Sequence, residues 1–197
     1  MAKILIATEK PFEKNAVEGI REILRNAGYD VDILEKYSDK KDLLKAEEDA
    51  DVLIVRSDII NREVIEGGKK LRMVVRAGAG IDNIDLEAAK EKHVVVMNTP
   101  GQNANAVAEL TLGMMVFYVR NFYSGKPGTE LKGKTLGIHG FGYVGKSVAR
   151  IAKGFEMDVN AFDAFVDRKI MEENGVKCID FNDFLIERDL KMERKKS

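Results

Sequence analysis

The stretch Lys134-Thr-Leu-Gly-Ile-His-Gly140-Phe-Gly142-Tyr-Val-Gly145 constrains the fold more than any other part of this chain. It reads as an apolar strand, a glycine turn and the start of a helix. That arrangement holds the pyrophosphate of a dinucleotide at the positive end of the helix. Gly140 then lets the chain turn sharply, Gly142 lets the backbone approach the phosphates, and Gly145 lets helix and strand pack closely. Phe141, Tyr143 and Val144 complete this cofactor-binding turn. A glycine-rich turn in some other α/β protein is the competing reading. Against it stands Asp163, 23 residues after Gly140 and at the end of the next apolar run. A carboxylate at that spacing bonds the adenosine ribose hydroxyls. An acid there repels a 2′-phosphate, and no arginine follows it until Arg168, so NAD is favoured over NADP.

The surroundings suit an α/β protein. Apolar runs at Lys3–Ala7, Asp30–Leu34, Val52–Val55, Met73–Val75 and Val94–Met97 alternate with helical patterns at 11–27, 39–48, 62–66 and 86–91. Five strands with intervening helices predict a parallel sheet covered on both faces. In the first helix, Ala16, Ile20, Ile23 and Leu24 share one face, and Gly28 closes it. The turn cluster Asn98-Thr-Pro-Gly-Gln-Asn marks a boundary. From Ala104 to Phe122 runs a helix apolar almost all round, which predicts burial between domains or between subunits. Tyr123–Thr129 is a second boundary. Beyond the glycine turn, strands are expected at 157–163 and 176–179, and helices at 146–155, 166–174 and from Asn182. Ile186–Ser197 carries eight charged residues in twelve, and no further apolar strand is expected there.

A net charge of −1 gives no electrostatic case for nucleic acid or an anionic membrane as partner. No apolar run approaches the roughly 20 residues that span a bilayer. The first residues read as a strand with no signal peptide before it, which points to a cytoplasmic protein. A single cysteine, Cys178, excludes an internal disulfide and a cysteine metal cluster, and is expected to pack as a small apolar residue. No metal site is expected.

Arg56 and Arg76 each end an apolar strand, the second just before Ala77-Gly78-Ala79-Gly80. Ligands of open α/β sheets bind beyond the carboxyl ends of strands. Two arginines there, beside a turn with exposed N–H groups, suit a carboxylate or phosphate; solvated surface arginines remain the alternative. His139 abuts Gly140 and should face a sheet surface, and both it and His93 read as structural rather than as a catalytic base.

Together these residues resemble the D-2-hydroxyacid dehydrogenase family. The resemblance is carried by Asp51-Val-Leu-Ile-Val-Arg56-Ser57, Val75-Arg76-Ala-Gly-Ala-Gly-Ile-Asp-Asn-Ile-Asp-Leu-Glu-Ala-Ala, Val96-Met-Asn-Thr-Pro, Ala108-Glu-Leu-Thr and Gly128-Thr-Glu-Leu-Lys-Gly-Lys-Thr-Leu-Gly-Ile. It runs from residue 1 to about residue 186. It implies a flavodoxin-like substrate domain over 1–98, a hinge, helix and connector over 99–133, and the first half of a Rossmann dinucleotide-binding domain over 134–197. It further implies NAD as cofactor and a small phosphorylated 2-hydroxy acid as substrate, with 3-phosphoglycerate oxidised to 3-phosphohydroxypyruvate on the way to serine. Arg56 and Arg76 would grip the substrate's phosphate and carboxylate, with the Ala77–Gly78 backbone near the reacting carbons. Asn105, Ala106 and Thr111 would lie near the cofactor, and the 104–122 helix would join a homodimer.

The family's catalytic arginine, glutamate and histidine follow the third strand of the cofactor domain, and no residue of this sequence matches them. The sequence therefore reads as a truncated form, inactive alone, with the strand at Leu136–His139 left open on one edge. A dehydrogenase for glycerate or lactate, and a non-catalytic NAD-responsive interaction protein, are the alternative readings.

Overall fold

The computed structural model describes residues 1–185 and 190–192. They form two compact units, Met1–Pro100 and Gly101–Ser197. Among the described residues, no helix is long and apolar enough to cross a membrane.

The first unit alternates strand and helix: β1 (Lys3–Thr8), α1 (Lys14–Asn26), β2 (Asp30–Glu35), α2 (Lys40–Glu47), β3 (Val52–Val55), α3 (Arg62–Gly67), β4 (Met73–Arg76), α4 (Leu86–Glu91) and β5 (Val95–Asn98). The strands are all parallel in the order β2-β1-β3-β4-β5. This is the doubly wound order whose direction reverses between β1 and β3. Period-two alternation sorts each strand between two cores. Leu5, Ala7, Leu53, Val55 and Val74 pack with Leu43 of α2, Val64 and Ile65 of α3 and Ala88 and Ala89 of α4. Ile4, Ile6, Val31 and Ile54 face the other way, against Ile20 and Leu24 of α1. Beside that second core, Val95 and Met97 on β5 stay exposed.

Two details of α1 differ from the sequence reading. The helix starts at Lys14 rather than Pro11, because Glu13 is extended at φ −62° and ψ 133°. Its buried stripe is Val17 with Ile20 and Leu24, whereas Ile23 is 70% exposed. An apolar residue next to the stripe need not belong to it when the stripe is narrow.

The second unit begins with α5 (Ala104–Val119), followed by a 3-10 turn at Asn121–Tyr123. Phe122 is left-handed at φ 55°, ψ 27°, so the expected single helix to Phe122 breaks before it. Then come β6 (Thr135–His139), α6 (Tyr143–Gly154), β7 (Asp158–Phe162), α7 (Arg168–Glu173), β8 (Lys177–Cys178), α8 (Phe181–Leu185) and β9 (Leu190–Met192). The sheet is parallel in the order β8-β7-β6-β9. Here the expectation of an open β6 edge is overturned. Leu190, Lys191 and Met192 pair with Leu136, Gly137 and Ile138, closing that edge with a short fourth strand. The charge density around these residues hid it, since three ladder positions suffice for pairing and carry almost no hydropathy signal. The rest of the charged stretch, 186–189 and 193–197, lies outside the described residues.

Leu136 and Ile138 of β6, Val148, Ala149 and Ala152 of α6, Val159 and Ala161 of β7 and Met171 of α7 form the core of this unit, with Ala108 and Leu112 of α5. Cys178 packs at its margin. The α5 helix is buried along one face alone. Leu110 is 65% exposed and Met114 63% exposed, with Val107, Phe117 and Tyr118 beside them. Within this chain the helix is therefore covered on one face and exposed on the other.

Candidate functional site

In the first unit the strand order directs attention to the carboxyl edge of the sheet between β1 and β3. The ladder sets Val55 opposite Arg76, so the arginine ending β4 lies beside the residue preceding Arg56. Nε of Arg76 donates to the Arg56 carbonyl at 2.9 Å. Its guanidinium lies over Gly78: a Cβ there would stand 1.9 Å from Nη1 and 2.5 Å from Cζ. Gly78 thus makes the room that places Arg76. The turn after β4 is itself fixed, because Ala77 N–H donates to Val55 and Asn98 Nδ2 donates to the Ala79 carbonyl at 2.7 Å. Arg56 is exposed, and its Nη1 reaches the Pro11 carbonyl at 3.4 Å. The structure brings Arg56, Arg76, Ala77 and Gly78 together.

Several residues at this edge escaped the sequence reading. Asp58 is 2% exposed. Its Oδ1 accepts from the Tyr37 hydroxyl at 2.7 Å and from the Glu9 N–H at 2.7 Å, and its Oδ2 accepts from the Arg56 N–H at 3.3 Å. Asn83 Nδ2 donates to its carbonyl at 2.7 Å. Burial, followed by the hydrogen bond to Asp58, pushes the Tyr37 phenol far above its ordinary value. The signal that could have found them is the switch point between β1 and β3, which marks the Glu9–Phe12 loop as a site wall.

In the second unit the three glycines of the turn differ in what each makes room for. Gly140 sits at φ +101°, where a side chain is strained. A Cβ on Gly145 would stand 2.2 Å from the Gly140 carbonyl oxygen, so α6 crosses directly against the turn. Gly142 behaves differently. It is extended, it precedes the first helical residue, and a Cβ there would meet no atom within 4 Å. The protein's own packing leaves that position open, which suits close approach by a ligand. The N-cap residue of α6, Gly142, offers no side chain to cap the helix, whose first-turn amides have no intrahelical partner. Tyr143 is 67% exposed, its ring against Gly101. Val144 packs at the margin of the core, and Phe141 is fully buried.

Asp163 follows β7 and is tied to the turn. Its Oδ2 accepts from the Phe141 N–H at 2.6 Å, and its Oδ1 from Phe165 and Val166 N–H at 2.8 and 3.1 Å. A carboxylate offers about four acceptor positions. Ribose hydroxyls would share this carboxylate with backbone amides. An open turn, a helix start with glycine at its N-cap and a strand-end acid fit a dinucleotide's pyrophosphate and ribose.

Residues assigned to the cofactor on α5 are engaged locally. Thr111 Oγ1 donates to the Val107 carbonyl at 2.8 Å. Asn105 donates to Glu109 at 2.5 Å and accepts from Arg150 at 2.6 Å, bridging α5 and α6. Ala106 is exposed. His139 lies among Phe162, Phe181 and Phe184 at ring-centroid distances of 5.6, 5.6 and 5.5 Å. His93 takes φ 56° after α4, with His93 and Val94 N–H closing back on Lys90 and Ala89, so it ends the helix in the manner of a glycine.

Residues 6–183 match the family described as D-isomer specific 2-hydroxyacid dehydrogenase, catalytic domain. A D-3-phosphoglycerate dehydrogenase of Methanocaldococcus jannaschii is 38% identical over 194 residues, covering 91% of this chain and 36% of its own length. A hydroxypyruvate reductase of Thermotoga maritima is 38% identical over 177 residues, covering 83% of this chain and 56% of its own. Among solved structures, the NAD+-bound 3-phosphoglycerate dehydrogenase of Entamoeba histolytica superposes with a TM-score of 0.88 at 48% identity, over 99% of this chain and 64% of that one. The chain thus spans less than two thirds of the length of each of these relatives.

Proposed function

The chain belongs to the D-isomer specific 2-hydroxyacid dehydrogenase family, and on that premise we propose that its first unit binds a phosphorylated 2-hydroxy acid and its second unit binds NAD. The substrate is 3-phosphoglycerate, and the reaction of the whole enzyme is its oxidation to 3-phosphohydroxypyruvate. The observation that carries this reading is the pairing of Arg56 and Arg76 at the carboxyl ends of adjacent strands, where each guanidinium meets backbone carbonyls and keeps further donors for an anion. One arginine takes the phosphate and the other the carboxylate, and the Ala77–Gly78 backbone lies alongside. Bound NAD supplies a nicotinamide ring that accepts hydride from the substrate carbon. Gly140, Phe141, Gly142, Tyr143, Val144 and Gly145 hold its pyrophosphate, Asp163 its adenosine ribose, and Thr111 stands near it. The exposed face of α5 pairs with a second copy in a homodimer.

Glycerate is the competing substrate, given the relative named hydroxypyruvate reductase. Calorimetric titration separates the two. 3-Phosphoglycerate should bind the chain more tightly than D-glycerate, and Arg56→Ala should remove that preference, a loss of about tenfold for one charge-assisted contact. Equal binding of both acids, unchanged in Arg56→Ala, would discard phosphate recognition.

A further inference from the structure

We propose that Asp58 is the positioning residue of the anion site, fixing the Arg56 backbone and the Glu9–Phe12 loop so that the arginine is presented in one place. This rests on the reading that Arg56 contacts the substrate's phosphate. Arg56 ends β3 on the solvent side, and a long exposed side chain binds an anion well only when its backbone is fixed. Asp58 supplies that fixation from two residues away. Its hydrogen-bond partners lie in the segments after β1 (Glu9), after β2 (Tyr37), after β3 (Arg56) and after β4 (Asn83). Three loops at the carboxyl edge of the sheet therefore share one buried carboxylate, and the fourth holds the Asp58 main-chain carbonyl through Asn83.

Burying a carboxylate is expensive unless hydrogen bonds replace its water. If this position served packing alone, an apolar residue of similar size would serve better. Two of the bonds, to the Glu9 and Arg56 N–H groups, run to the walls of the site. Glu9 N–H pins the start of the loop whose Pro11 carbonyl receives the Arg56 guanidinium. Arg76 closes the arrangement by donating to the Arg56 carbonyl. Both backbone groups of Arg56 are thereby held: its N–H by Asp58 and its C=O by Arg76. Tyr37 completes the set of donors from a position 8% exposed, so its hydroxyl is aimed at Asp58 rather than at solvent.

The test titrates 3-phosphoglycerate into the chain carrying Asp58→Asn or Tyr37→Phe, with Arg56→Ala and Leu43→Ala as references. Asp58→Asn puts a donor where one oxygen accepted, and Tyr37→Phe removes a donor while keeping the carboxylate, so the second variant serves if the first fails to fold. Leu43→Ala opens a cavity under α2 while leaving the Asp58 hydrogen bonds in place, and controls for lost stability. Both site variants should weaken binding about five- to tenfold, while Leu43→Ala binds like the parent. Hydrogen exchange of the Glu9 and Arg56 amides should accelerate in the site variants and not in Leu43→Ala. If Arg56→Ala weakens binding but both site variants match the parent, the positioning role is wrong and the anion site stands. If the parent chain does not bind 3-phosphoglycerate, the site reading and this inference fall together.

Discussion

Both carboxylate oxygens of Glu47 lie buried on the inner face of α2 without a hydrogen-bond partner among the described residues, one of them packed where Gly67 leaves room. Burial pushes its pKa up to about 8. The unfolded chain releases this proton near pH 4.5, the folded chain near 8. Between those values the folded state holds the extra proton, so this contribution is full below pH 4.5, shrinks as pH rises, and is gone above 8. Asp49 and Asp51 act oppositely: hydrogen bonds from Lys70 and from the Lys3 N–H hold them below the usual carboxylate range. Their contribution is complete by pH 5 and leaves the higher window to Glu47. Urea midpoints should therefore fall from pH 5 to pH 8.5 in the parent and stay flatter in Glu47→Met. At pH 8.5 the variant should gain about 1–3 kcal/mol. An identical slope in both proteins would remove Glu47 from the account.

Glycine 145 sets a second residue-scale expectation. Gly145→Ala drives a Cβ to 2.2 Å from a backbone oxygen that cannot swing aside, whereas Gly113→Ala in α5 meets nothing within 4 Å. The first should cost about 2 kcal/mol or more and the second should gain up to about 1 kcal/mol, read from denaturant midpoints. Gly145 was legible because its reason is local: a strand, a turn and a helix within twelve residues. Asp58 and Glu47 were not. Each draws its meaning from segments distant in sequence, and in one dimension each is one acid among many.

At the scale of elements, the helices and strands of the first unit were readable because hydropathy changes period between them. Their ends and faces were less so, as at Pro11, outside α1, and at Ile23, off its buried stripe. The α5 helix shows the limit of that signal. A segment apolar on every side announces burial but not which face this chain covers. The uncovered stripe, Val107, Leu110, Met114 and Phe117, has the spacing of a helix face. Sedimentation equilibrium should find the parent self-associating at micromolar concentration and Leu110→Lys monomeric, with an unchanged denaturation midpoint at low protein concentration. A monomeric parent would remove α5 as the dimer helix. The β9 strand failed in the opposite direction, since no hydropathy pattern announces three residues among charges.

For the whole molecule, the two units each own a core: one built on both faces of the five-stranded sheet, the other around β6 and α6. Separate cores predict separate cooperativity. Scanning calorimetry should resolve two transitions, and Gly145→Ala should lower one of them alone. A single transition matching its van't Hoff enthalpy would mean that the chain melts as one body.

The pairing of β9 with β6 also bears on the order in which this chain is made. During synthesis β7 emerges soon after β6 and can occupy one of its edges at once. The other edge must wait until Leu190–Met192 has left the ribosome, a delay of several seconds at about 5–20 residues per second. Throughout that interval a central apolar strand has unsatisfied N–H and C=O groups facing solvent, where a neighbouring nascent chain can take them. Three residues near the end of the described chain thus decide how long that edge of the second unit stays open.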